Sequence, residues 1–135
     1  MEVRYLDDRD YDVLASWWKD WRWTPPPKDM LPQDGRGGLM ITKDGEDICA
    51  GFIYFTNSST AWVEFIISNF KYKNKELRKE AILLLIQALS EVAKDNNCKY
   101  IYTSLKNEQL INHYAACGFE KGSTGCTEMI KIWQQ

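Results

Sequence analysis

The chain has 135 residues, 44% apolar and 27% charged, which suits one domain over residues 1–135 with a buried core and lies outside the composition of disordered chains. Its formal net charge of −2 argues against a protein devoted to nucleic acid and leaves room only for a local basic patch. No apolar run approaches the roughly 20 residues of a membrane span and the N-terminus lacks the basic-then-apolar pattern of a signal peptide, so a cytoplasmic location is expected.

Glu2 to Leu6 alternates around Val3 and Tyr5 and predicts a short strand. Asp7, Asp8 or Asp10 can cap a following helix in which Tyr11, Leu14, Ala15, Trp18 and Trp21 recur at helical spacing. That helix ends before Pro25-Pro26-Pro27, and Thr24 to Gly38 is expected to be irregular, broken by one helical turn at most. Trp17, Trp18, Trp21 and Trp23 precede it. They either cover one end of a sheet or, with the proline segment, wall a pocket for an acceptor molecule.

Gly38 to Thr42, Asp47 to Thr56 and Thr60 to Ile67 read as three strands. The turns at Asp44-Gly45 and Asn57 to Ser59 join them into an antiparallel meander. A lysine-rich loop follows, and from Glu76 to about Lys94 a helix with a wide apolar arc (Leu77, Ala81, Leu84, Leu85, Leu89, Val92) suits packing across a sheet. Lys99 to Ser104 reads as a strand and Asn107 to Cys117 as a short helix stopped by Gly118. Two last strands are expected near Phe119 to Lys121 and Thr127 to Trp133. Cys49, Cys98, Cys117 and Cys126 are widely spaced, with no Cys-x-x-Cys pair and one histidine in the chain. Reduced, mostly buried thiols and no metal site are expected.

This order of elements resembles the GNAT superfamily of N-acetyltransferases over nearly the whole chain. The most specific match is Asn107-Glu-Gln-Leu-Ile-Asn-His-Tyr-Ala-Ala-Cys-Gly-Phe119-Glu120, which looks like the family's segment of an early asparagine, a tyrosine and Gly-Phe-Glu. A second is the helix end Glu91-Val-Ala-Lys-Asp-Asn-Asn-Cys98 followed by a strand. The lysine-rich loop also looks like that of short bacteriophage-encoded members, for which the location would be the host cytoplasm.

The resemblance implies an α+β (α/β three-layer) fold with a mixed, mostly antiparallel central sheet flanked by helices. It implies acetyl-CoA as cosubstrate, an amine as acceptor, no membrane, and admits a homodimer. Backbone groups of Phe65, Ile66 and Ile67 would pair with the pantetheine arm where the strand before the long helix splays from the strand after it. By the same resemblance Tyr114 would protonate the leaving thiolate, a phenol of pKa ~10 being able to donate to a thiolate whose acid lies near ~8.5. Asn107 lies two helical turns away on the same face. Asn107 is equally a good N-cap, and Tyr114 with Leu110 equally a core stripe. Glu64 is the candidate base for the acceptor ammonium. Alternation around it sets its side chain opposite to Val63 and Phe65, and a solvated strand carboxylate is the plain alternative. His113 points about 100° from Tyr114 and reads as surface.

The family's phosphate loop carries glycines, whereas this chain has none between Gly51 and Gly118. Phe70 to Arg78 matches the loop locally, while matching the helix end instead puts Ala81 at the last small position. Lys71, Lys73, Lys75, Arg78 and Lys79 crowd one helix start, where cations oppose the helix dipole unless an anion sits among them, and Asn74 tolerates the left-handed conformation that glycine would have supplied. The other reading of this cluster is a solvated charge run balanced by Glu76 and Glu80. The function expected is direct acetyl transfer from acetyl-CoA to an amine. The alternative is a catalytically degenerate GNAT-like domain serving as a ligand-binding or protein-interaction module, favoured by the missing glycines.

Overall fold

Asp44 and Gly45 both sit at positive φ, 52° and 79°, as a two-residue hairpin turn requires when its twist is to match that of its strands. The turn joins β2 (Gly38–Lys43) to β3 (Glu46–Phe55), and a second turn leads to β4 (Thr60–Ser68). In the computed structural model, which describes residues 1–133, β1 (Glu2–Tyr5) pairs antiparallel with β2, and β5 (Tyr100–Tyr102) lies parallel to β4. The sheet order is β1-β2-β3-β4-β5. It is the mixed, mostly antiparallel sheet expected.

Alternation along the strands sends side chains to two separate cores. Leu39, Ile41, Cys49, Ile53, Ala61 and Val63 pack under α2 (Lys75–Asp95) and α3 (Glu108–Ala116), whose Leu85, Leu89 and Tyr114 complete that side. Met40, Ala50, Phe52 and Ile67 pack on the other face against Leu14, Trp17 and Trp18 of α1 (Asp10–Asp20). The result is three layers. Burying each of the larger side chains contributes roughly 1.5–3 kcal/mol over leaving it exposed.

The helix ends follow from local chemistry. Asn74 is extended, at φ −78°, and not in the left-handed conformation expected of it, because it caps α2 by accepting from the Leu77 amide at 3.1 Å; Asn107 caps α3 by accepting from Leu110 at 3.0 Å. Gly118, at φ 93°, ends α3 while the Phe119 amide returns to the Tyr114 carbonyl at 3.1 Å, closing the last turn as a left-handed C-terminal residue does. At the start of the chain, Arg4 in β1 donates twice to Asp10 at 2.9 Å, and the Asp7 amide donates to the same carboxylate at 2.8 Å. That cluster ties β1 to the first turn of α1.

Three expectations change. The strands expected near Phe119 to Lys121 and Thr127 to Trp133 do not form among the described residues. Met129, Ile130, Ile132 and Trp133 are exposed: a run of strand-favouring residues makes a strand only when an edge receives it, and no described strand pairs with this segment. The irregular stretch after α1 holds the 3-10 turn Lys28–Met30 and, beyond the one helical turn expected, a second tight turn at Pro32–Gly35 in which Gln33 and Asp34 are left-handed, at φ 50° and 53°. Finally, β4 is not regular. Ala50 faces Ile67 and Phe52 faces Glu64, so Phe65 and Ile66 together oppose Gly51, and Phe65 takes φ 58°. This is a β-bulge. Gly51 is what admits it, since a Cβ there would lie 2.5 Å from Ile66 Cδ1.

Candidate functional site

The bulge decides which way the candidate residues point. Val63 and Ile66 pack on the α2 side while Phe65 packs against the α1 core, so Glu64 and Phe65 share the α1 face. The expectation that Glu64 and Phe65 lie on opposite faces is thereby corrected: a left-handed residue inside a strand adds a half-step to the alternation. A non-glycine residue in this region is uncommon and its strain must be held by its surroundings. Here the holding contact is the edge-to-face packing of Phe65 on Trp18, with ring centres 6.5 Å apart.

Just before the bulge the sheet opens. β4 and β5 pair only over Thr60–Trp62 and Tyr100–Tyr102, and the Thr103 hydroxyl then takes the Val63 carbonyl at 2.7 Å. Past this point β4 is held by β3 on one side alone, and its outer edge over Phe65, Ile66 and Ile67 faces the split. An open strand edge presents backbone donors and acceptors to any extended partner.

Two side chains border this split. The Glu64 carboxylate is half-buried and accepts from Trp62 Nε1 at 2.8 Å. Burial raises its pKa above the ordinary carboxylate range, opposed by the Trp62 bond and the Phe65 amide and reinforced by the charge of Glu128. Burial likewise pushes the neighbouring Tyr54 hydroxyl up to about 12, with the Glu64 charge adding to it. Tyr114 is 2% exposed and its hydroxyl has no hydrogen-bond partner among the described residues. Its pKa is raised well above that of a free phenol, first by burial and then, past an opposing contribution from Thr103, by the charge of Glu64. An unpartnered buried hydroxyl costs about 1–3 kcal/mol, so its presence calls for an account. Tyr114 also packs edge to face on Phe119, ring centres 4.9 Å apart, and so belongs to the core stripe as well.

The basic loop lies at the other end of the bulge. The loop ends at the Asn74 cap and α2 begins at Lys75, so Lys71 and Lys73 lie in the loop while Lys75, Arg78, Lys79 and Ala81 lie in the helix. Lys71, Lys73, Lys75 and Lys79 are exposed around this helix start, where first-turn amides lack helical acceptors. Lys73 folds back to the Phe70 carbonyl at 3.1 Å and over its ring. Arg78 differs from the lysines: it is half-buried, donates to the Tyr72 carbonyl and leaves Nε buried without a partner. It braces the loop from inside. Asn107 is occupied as the cap of α3. His113, read as surface, is half-buried, and its pKa is lowered by burial and then by Lys79.

The four tryptophans divide between the two readings given them. Trp17 and Trp18 are buried in the α1 core, while Trp21 donates from Nε1 to the Ser68 carbonyl at 2.8 Å, pinning the end of α1 to β4. Trp18 and Trp23, with Pro25 to Pro27, Met30 and Phe65, line an open cleft of about 360 Å³. Tyr11 and Tyr54 hold this strap by donating to the Pro26 and Met30 carbonyls at 2.8 and 3.0 Å. Sequence reasoning missed Trp62 and Thr103. Trp62 was within reach, because residues two apart on a strand share a face and Trp62 stands two before Glu64; Thr103 carries no signal of its own.

No protein-family model matches the chain, and no curated protein matches it. Solved structures do. A Thermus thermophilus protein aligns with 99% of this chain and 100% of its own at 14% identity and TM-score 0.68. Glucosamine-6-phosphate N-acetyltransferase of Arabidopsis thaliana aligns with 96% and 98% of the two chains at 14% identity and TM-score 0.65. A ribosomal-protein-alanine N-acetyltransferase of Brucella melitensis aligns with 91% and 86% at 13% identity and TM-score 0.67. The chain therefore has a GNAT-like fold, shared with acetyltransferases across nearly its full length.

Proposed function

We propose that the chain is an acetyl-CoA-dependent N-acetyltransferase that passes the acetyl group directly to a primary amine. The observation that carries this reading is the buried, unpartnered Tyr114 hydroxyl at the place where β4 bulges and parts from β5. The shared fold supports it. Acetyl-CoA, when bound, supplies a thioester whose C–S bond breaks as the amide C–N bond forms.

The chain's own residues do the rest. The open edge at Phe65, Ile66 and Ile67 would hold the amide-bearing arm, and an amide there would face the carbonyl oxygen as it gains charge. Lys71, Lys73, Lys75 and Lys79, with Asn74 shaping the loop and Arg78 bracing it, would hold the phosphates at the start of α2; Asn107 keeps α3 and hence Tyr114 in place. Glu64 takes the proton of the acceptor ammonium and passes it to solvent, freeing the nitrogen lone pair. Tyr114 gives its proton to the departing sulfur. The second proton shed by nitrogen balances that donation.

The direct test is release of free CoA thiol together with an acetylated amine when the protein, acetyl-CoA and a panel of primary amines are combined; CoA release without acetylated amine would contradict the reading. The pH dependence follows from Glu64. Its base form appears as pH rises, so the transfer rate climbs along a limb centred above the ordinary carboxylate pKa, and Glu64→Gln should remove that limb and cut the rate by about 100-fold. The same group affects stability with a defined sign. A folded-state pKa above the unfolded one stabilises at pH below the unfolded value, and that contribution is lost as pH rises through the folded value. Unfolding of the Glu64→Gln variant should lack this dependence.

A further inference from the structure

The acceptor cleft has a chemistry of its own. Trp18, Trp23, Met30, Phe65 and three prolines line it, Thr24 supplies a hydroxyl, and the lining contains no charged side chain. The lining itself offers a sugar phosphate no cation, Lys28 beyond it lying over the Tyr11 ring, and a polyhydroxyl amine would leave most of its hydroxyls facing apolar carbon. Burying such groups without partners is costly. Aromatic rings and prolines instead favour an aryl or alkyl body, and the electron-rich ring faces favour a cation at its edge.

The cation has a place to go. Phe65 lines the cleft, and the bulge puts Glu64 beside it on the same face of the sheet. Tyr54 joins the two, because it feels the Glu64 charge and its hydroxyl holds the carbonyl of Met30 in the lining. The cleft is open at its outer side, where Trp23 is 55% exposed. We infer that the acceptor is a primary amine carried on a compact aryl or alkyl group, with the apolar body between Trp18, Trp23 and Phe65 and the ammonium at Glu64. This rests on the acetyltransferase reading and narrows it. It separates this chain from a relative of the same fold named for glucosamine-6-phosphate.

The balance is that of simple aminolysis: the ammonium loses one proton to Glu64 and on to solvent, nitrogen bonds the acetyl carbon, the C–S bond breaks, and CoA leaves as the thiol. Steady-state transfer from acetyl-CoA to 2-phenylethylamine and to glucosamine 6-phosphate tests the inference. The first should exceed the second in kcat/KM by about 100-fold or more, since the lining offers the phosphate no partner. Trp23→Ala should raise KM for 2-phenylethylamine about 10-fold through lost ring contact, with the dissociation constant of acetyl-CoA unchanged. Equal or better use of glucosamine 6-phosphate, or an unchanged KM in Trp23→Ala, would overturn it. If the protein does not bind acetyl-CoA, the acetyltransferase reading fails. Calorimetry of 2-phenylethylamine alone then decides the cleft: binding that Trp23→Ala weakens upholds the apolar amine site, and no binding removes it.

Discussion

Replacing Tyr114 by phenylalanine should slow acetyl transfer by about 100-fold or more, the usual worth of a positioned general acid, and should leave the protein at least as stable as before. These two outcomes are linked by one atom. The hydroxyl is buried and unpartnered, so removing it relieves a desolvation cost of about 1 kcal/mol or more while keeping the ring in its contact with Phe119. A hydroxyl that served the core would behave the opposite way, with stability falling and rate unchanged. Measuring the rate beside a urea midpoint separates the two cases. The ligand-induced rise in melting temperature with acetyl-CoA should survive, since the proposed holding groups lie on β4, the lysine-rich loop and the start of α2.

The largest effect on stability is expected at Asp10. It is 4% exposed and receives both Arg4 nitrogens and the Asp7 amide, and Arg4 also lies 3.6 Å from Asp47. Asp10→Ala leaves a guanidinium and a backbone amide without their shared acceptor. Breaking a buried pair by removing one partner costs about 3–5 kcal/mol. Because the Arg4 side chain is 37% exposed and water can reach it, the lower end, about 3 kcal/mol, applies. In a domain of this size that corresponds to a fall in melting temperature of roughly 10 °C. Asp10→Asn keeps an acceptor for the Asp7 amide and should lose less. The cluster also positions α1, which carries Trp18 to the cleft, so the alanine variant should raise KM for the amine. A loss below about 1 kcal/mol would show that Arg4 and Asp10 are no more than a solvated surface pair.

Most of the layout was legible because periodicity and turn residues are local. Asp44-Gly45 fixed a hairpin, Asn107 marked a helix start, and the apolar arc from Leu77 to Val92 announced a helix lying on a sheet. The bulge at Phe65 was not legible: Glu64, Phe65 and Ile66 are ordinary strand residues, and the positive φ of Phe65 goes with tertiary neighbours, Trp18 against its ring and Gly51 across the strand pair. A glycine inside a strand is a weak sign of this kind. The segment from Thr127 to Trp133 misled for a related reason, since its strand-favouring residues are real but no described strand pairs with them. At the site, Glu64 and Tyr114 are distant in sequence and were singled out by family resemblance together with strand and helix spacing. Their common neighbourhood depends on where β4 and β5 part, which is a property of the sheet. Arg78 shows the limit of reading charge from sequence: it belongs to a run of cations, yet it turns inward to the Tyr72 carbonyl.

Thermal unfolding with and without millimolar acetyl-CoA tests most directly whether the bulge, the split and the glycine-free lysine loop together hold acetyl-CoA. At ~100 times its dissociation constant a ligand adds about 2.7 kcal/mol of stability, so the melting temperature should rise by roughly 10 °C. It should rise clearly less when Lys71, Lys75 and Lys79 are changed together to glutamine. No rise with the unaltered chain would contradict the account and leave a GNAT-like fold serving as a binding module for something else.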